Sequence, residues 1–233
     1  MSRPKICLIV PHDEKEQGAI SYNGISEFKY GKFVAEEVFL RLGEYDCEVY
    51  AFTKNGHDYS NITEKYPKMF FDVSIELHFN SFYKPAFGME ALLLSDSKEE
   101  TVKFVDRFTD FISQELDIKE RRNVLWADFN LPTDGISRIS RNQRGAVCLR
   151  AMADSNVAKH VFLFEPAFCN KETADSRKLF ETSNSDLYPK ALCNALISLL
   201  NISRKDDEKQ MINLDKLKKD IGDAVYEVIK DLI

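Results

Sequence analysis

The chain contains no Cys-x-x-Cys pair, and its five cysteines (Cys7, Cys47, Cys148, Cys169, Cys193) are scattered and odd in number. That pattern argues against a disulfide framework and against a cysteine-built structural zinc, and suits reduced thiols. No apolar run approaches the length of a membrane helix, so no stable membrane insertion is expected. Residues 6–10 follow a basic start but are too short for a signal peptide and break at Pro11-His12-Asp13-Glu14, so a cytoplasmic location is expected. Positive charge is not in excess either. The formal net charge of −6 disfavours a nucleic-acid partner, although residues 119–122 and 138–150 are locally basic. Internal repeats and low-complexity segments are also missing.

What remains is ordinary soluble-protein material: 233 residues, 44% apolar and 30% charged, enough for one sizeable core. Residues 6–10 are compact and rich in branched side chains, as a central strand requires. Ser26 is placed to cap a helix and Glu27 falls in its first turn, where exposed amides favour a carboxylate. Phe28, Phe33, Val34, Val38 and Leu42 then recur at helical spacing up to Gly43. Residues 47–52, 70–77 and 88–95 read as strands. Residues 98–116 read as an amphipathic helix with Val102, Val105, Phe108, Ile112 and Leu116 on one face.

The stretch 123–144, with Pro132 and Gly135, reads as a long loop or short hairpin. Residues 146–150 and 160–165 read as two further strands, and 185–200 as the last helix of the domain. Residues 204–210 form a charged hinge. Beyond them Leu214, Leu217, Ile221, Ala224 and Val228 repeat at heptad spacing, as in an amphipathic helix that packs back or self-associates. The expected fold class is α/β: a single twisted, mostly parallel sheet of about six strands with helices on both faces, plus a C-terminal helix. Residues 1–203 form the domain and 204–233 the appendage.

Three residues able to bind metal fall at element ends: His12 after the first strand, Glu27 at the first helix and His78 after the third strand. Two imidazoles and one carboxylate are a donor set of catalytic zinc sites, which keep a fourth position for water or substrate. Glu165 closes a strand before Pro166, where a carboxylate can serve as base and acid. By spacing alone His78 also suits a structural hydrogen bond, and Glu165 a cap. His57 and His160 read as solvated side chains and Cys169 as a buried thiol. Arg138, Arg141 and Arg144 suit the carboxylates of a substrate or a solvated loop, and Trp126 and Phe129 a groove or core.

Residues 72–81, Asp-Val-Ser-Ile-Glu-Leu-His-Phe-Asn-Ser, resemble the "SIHANS" motif of the zinc-dependent N-acetylmuramoyl-L-alanine amidases of bacterial autolysins and phage endolysins. Residues 6–12 look like that family's first strand and metal histidine, and Glu27 matches its acidic ligand. Gly88-Met89-Glu90 matches a Gly-x-Glu that opens the next strand, and residues 161–172 are similar to "VELGFISNxxD". The matches keep the family's order across the domain. The resemblance implies Zn2+ bound by His12, Glu27 and His78, and Glu165 as catalytic acid/base. The implied reaction cuts peptidoglycan between N-acetylmuramic acid and L-alanine, with Asn80, Glu90 and Arg141 expected at the substrate. Without a signal peptide or wall-binding repeat, the expectation is a phage or prophage endolysin, cytoplasmic until release to the wall. Another zinc peptidase or deacylase, or an inactive wall-binding module, are the alternatives. The family's Pro-Gly-His-Gly-Gly is replaced by Pro11-His12-Asp13-Glu14-Lys15, which puts that loop's path in question, and Asp13, Glu14 and Glu16 make the entrance acidic.

Overall fold

Ile6, Cys7, Leu8, Ile9 and Val10 are all buried, as happens in a strand covered on both faces. The computed structural model describes residues 3–53, 69–84, 86–121, 136–143 and 146–205. Its strands are β1 (Lys5–Val10), β2 (Glu48–Thr53), β3 (Phe71–Leu77), β4 (Glu90–Leu94), β5 (Ile136–Ile139) and β6 (Ala158–Glu165). They form one sheet of order β2-β1-β3-β6-β4-β5. Its helices are α1 (Glu27–Leu42), α2 (Glu99–Leu116), α3 (Ala146–Asp154), α4 (Ala174–Phe180) and α5 (Leu187–Leu200).

Ile6, Leu8 and Val10 join the larger core with α1, α2 and α5. The alternate residues Cys7 and Ile9 pack with Cys148 and Met152 of α3. The period of two along β1 thus divides one apolar run between two helical layers. α1 begins where its sequence says it should: extended Ser26 accepts the Lys29 amide at 3.3 Å through its side chain. All five cysteines are free and buried, and no helix among the described residues is long and apolar enough to cross a membrane.

β2, β1, β3 and β6 run parallel, whereas β4 is antiparallel to β6 and β5 follows β4. The carboxyl ends of β1, β3 and β6 therefore share one edge with the amino ends of β4 and β5. In an open α/β sheet that edge is where ligands bind.

Three local expectations are corrected. Residues 146–150 are not a strand but the first half of α3, whose buried side chains are Ala146, Cys148, Leu149 and Met152. A short apolar run fits either period, and here tertiary packing selects the helix. The strand beside β4 lies instead at β5, within the stretch read as loop or hairpin, paired parallel to β4. His160 is not solvated. It is 5% exposed, its ring stacks on Phe104 at 4.3 Å, and its Nδ1 lies 3.2 Å from the Thr101 hydroxyl. His57, Trp126, Phe129, Arg144 and the heptad series from Leu214 to Val228 lie outside the described residues.

Burial, with the nearby charge of Lys159, pushes His160 below its ordinary 6.5. The folded chain then takes up this proton less readily than the unfolded one, so stability falls as pH drops below about 6.5. Urea midpoints measured on either side of that pH should decline more in the parent than in His160→Gln. Parallel declines would show that another group carries the acid sensitivity.

Candidate metal centre and active site

After β1 the chain turns at Pro11 and places His12 at φ 66°, a left-handed conformation uncommon outside glycine. The Asp13 carboxylate accepts the amides of Lys15 at 2.8 Å and Glu16 at 2.9 Å, closing the turn that follows. Positive φ at the histidine itself, plus this side-chain turn, gives the loop its path without the glycines of the resembled motif. Gly18, at φ 75°, then brings backbone against the His12 ring and the Glu27 carboxylate.

Glu27 is the first residue of α1 and only 4% exposed. Its Oε2 accepts the Ala19 amide at 2.9 Å and lies 3.1 Å from His12 Nε2. Its Oε1 accepts the Phe79 amide at 2.9 Å and lies 2.8 Å from His78 Nδ1. Burial alone would raise this carboxyl. The bonds to His12 and His78, the charge on His78 and the Phe79 amide outweigh it and hold Glu27 well below the usual carboxylate range.

His78 extends β3 by one residue, and its amide donates to the Phe164 carbonyl at 2.9 Å. Behind it Phe79 packs against Tyr30 of α1 and Phe180 of α4, with ring centroids 4.8 Å apart in both pairs. The imidazole bridges two carboxylates, since its Nε2 lies 3.2 Å from Glu76 Oε1. Burial opposes a charged ring, but the charge of Glu76 and the hydrogen bonds to Glu27 and Glu76 prevail and lift His78 up to about 10.

One ligand atom each from His12, Glu27 and His78 lies within 4.8 Å of the others. Both Glu27 oxygens face imidazole nitrogens, and His12 Nδ1 is buried with no hydrogen-bond partner among the described residues. These donors fit a divalent metal in chemistry and placement. Glu76 adds the outer carboxylate that typically orients a metal-bound histidine.

Glu165 ends β6 beside His78, and burial together with the neighbouring Glu90 pushes its carboxyl well above the usual range. The structure brings Asn80 and Glu90 to the same edge, but toward each other: the Asn80 side-chain amide donates to Glu90 Oε1. Arg141, expected at the substrate, lies at the opposite edge. It follows the carboxyl end of β5, which runs against β6, and it ion-pairs with Asp96 and Asp154. Sequence reasoning missed Gly18, Glu76 and Arg121. Only Glu76 left a signal, two residues before His78 on the same strand face. Arg121 reaches Glu90 at 2.8 Å from a segment with no motif.

Two histidines and a carboxylate converging at this edge, beside a carboxyl raised above the usual range, define an α/β protein with a candidate metal site of the hydrolytic kind. A family model described as N-acetylmuramoyl-L-alanine amidase matches residues 6–231. The chain therefore belongs to the N-acetylmuramoyl-L-alanine amidase family, and its enzyme class is that of an amidase acting on peptidoglycan.

Solved structures share the fold at low identity. An N-acetylmuramoyl-L-alanine amidase from Clostridium difficile has a TM-score of 0.64 and 13% identity, covering 86% of this chain and 98% of that one. The apo form of such an amidase from Mycobacterium abscessus gives 0.62 and 14%, covering 86% and 100%. The catalytic domain of one from Bacillus (Paenibacillus) polymyxa gives 0.59 and 13%, covering 85% and 98%. No curated protein matches by sequence.

Proposed function

We propose that the protein hydrolyses the amide between the lactyl group of N-acetylmuramic acid and L-alanine of the stem peptide, with Zn2+ held by His12, Glu27 and His78. The observation that carries this is the convergence of those three donors beside Glu165 at the sheet edge. Zinc bound there would polarise the scissile carbonyl and acidify water. Glu165, once deprotonated, accepts the proton of the attacking water and delivers it to the departing alanine nitrogen. The C–N bond breaks as the new C–O bond remains, leaving a muramic carboxylate and a free amine. Glu27, anchored by two backbone amides, presents both oxygens without having to move. Glu76 fixes which nitrogen of His78 is turned toward Glu27. Since His78 carries a proton up to about 10 in the metal-free site, binding at neutral pH must expel it.

The test is digestion of purified sacculi with and without a chelator, followed by zinc add-back. New L-alanine amino ends without new reducing sugar, lost to the chelator and restored by zinc, are expected. Digestion indifferent to the chelator, or reducing ends in place of amines, would overturn the proposal. We further propose an endolysin setting; the motifs themselves are common to autolysins and endolysins. Cells expressing it should then lyse when their inner membrane is permeabilised and not before, and lysis without permeabilisation would reject that setting.

A further inference from the structure

Residues 119–121 dock on the chain just before β4. The Met89 amide donates to the Lys119 carbonyl at 3.0 Å, and the Arg121 amide donates to the Met89 carbonyl at 2.9 Å. Gly88, at φ 92°, allows this approach, because a Cβ there would stand 2.9 Å from the Lys119 carbonyl oxygen and 3.3 Å from the Arg121 nitrogen. The glycine of the Gly-x-Glu motif thus seats Arg121 beside the amino end of β4. The antiparallel run of β4 against β6 puts that end on the edge that carries His12, Glu27 and His78.

There the guanidinium is held from two sides. Its Nη1 donates to Glu90 Oε1 at 2.8 Å, and its carbon lies 4.9 Å from the centre of the buried Phe168 ring. Glu90 is fixed in turn, since it accepts the Asn80 amide and, at 3.1 Å, the Ser137 hydroxyl. The bond to Glu90 uses only one donor of the fork. Among the described residues no acceptor takes the others, and the side chain keeps 19% of its surface exposed. A planar fork held still, with donors left over and open to solvent, is preorganised for a second carboxylate. The loop after β1 is acidic at Asp13, Glu14 and Glu16, so an anionic substrate needs a cation elsewhere along the edge.

We infer that Arg121 is a specificity-determining residue that binds a free carboxylate on the second or third residue of the stem peptide. The inference rests on the amidase reading, with the scissile amide at the His12–Glu27–His78 cluster. His78 follows β3 and Glu90 opens β4, and β6 lies between those strands. Two strand spacings make the separation about 10 Å. An extended peptide advances about 3.3 Å per residue, so the chain reaches Arg121 two or three residues beyond the cut. Arg141, on the opposite edge, is not available for this contact.

The experiment compares kcat/KM of the zinc-loaded full chain on soluble muramoyl tripeptides. They differ only in whether the carboxylate of the second or the third residue is free or amidated. In the parent, one of the two amidations should lower kcat/KM about tenfold, mainly through KM, as loss of a charge-assisted pair implies. Arg121→Gln should cleave that amidated peptide and its free counterpart equally well, with unchanged zinc content. Arg121→Lys, which keeps the charge but not the fork, should keep part of the preference. A brace that only holds Glu90 would slow all substrates alike and leave the preference intact. That result overturns the inference, as does a parent indifferent to both amidations. If Arg121→Gln does not fold, Arg121→Lys decides: an undiminished preference rejects the contact. A parent that cleaves none of the peptides removes the amidase reading and this inference with it, whereas cleavage without preference removes only the role of Arg121.

Discussion

Glu165→Gln is expected to lower turnover of sacculi by about a thousandfold, within the range that general acid–base catalysis contributes, while zinc stays bound. Glutamine keeps the volume at the end of β6, opposite Glu90 on the paired strand, but it cannot take a proton from water and hand it on. None of the three clustered donors is altered, so zinc content separates lost chemistry from a lost site. The zinc-free variant should also be more stable than the parent at about pH 8. A carboxyl raised in the folded state binds its proton more tightly there than in the unfolded chain. Its burial therefore costs increasing stability as pH rises above the ordinary 4.5. The amide carries no such penalty. Turnover within tenfold of the parent would remove Glu165 from the mechanism, and an unchanged thermal midpoint would contradict its raised pKa.

Gly18→Ala carries the second large effect. A Cβ there would stand 2.4 Å from His12 Cδ2, 2.5 Å from His12 Nε2 and 2.6 Å from Glu27 Oε2. The residue also sits at φ 75°, where a side chain is strained. The crowding cannot be relieved by swinging Glu27 aside, because the Ala19 and Phe79 amides hold its two oxygens. His12 must yield, so zinc affinity should fall about 10–100-fold and activity with it, in a chain that still folds. Competition with a chromophoric chelator measures this directly. Gly24→Ala is the control: its φ is 87° but its Cβ would meet nothing within 4 Å. It should cost only about 1 kcal/mol of backbone strain and leave zinc binding intact. Equal zinc affinity in both variants would show that the His12 loop gives way and that Gly18 has no special role.

Much of the site could be read before any fold was known, because its parts sit at element ends marked by local rules. His12 follows a break at Pro11, Glu27 follows an N-cap serine, and His78 and Glu165 close apolar strands. The resemblance to the amidase motifs then joined them into one cluster. Glu76 lay within reach of the same logic, since a strand's period of two puts it on the face of His78. Arg141 shows where the logic stops. An arginine in an irregular stretch suits a substrate carboxylate equally well at either end of a strand, and only the reversed direction of β4 and β5 sends it away from the site.

The chain by itself determined the α/β class and the elements that carry the candidate metal donors, and the family resemblance supplied the chemistry expected of them. Hydrophobic period, capping and donor type are local properties of a few consecutive residues. Only the tertiary structure decided the helix at residues 146–154, the burial of His160, the closeness of Gly18 to His12 and Glu27 and the placing of Arg121, Glu90 and Glu165 side by side. Each of these depends on strand direction and on contacts between segments far apart in sequence. Glu90 and Glu165 are far apart along the polypeptide, and pairing between antiparallel strands makes them neighbours.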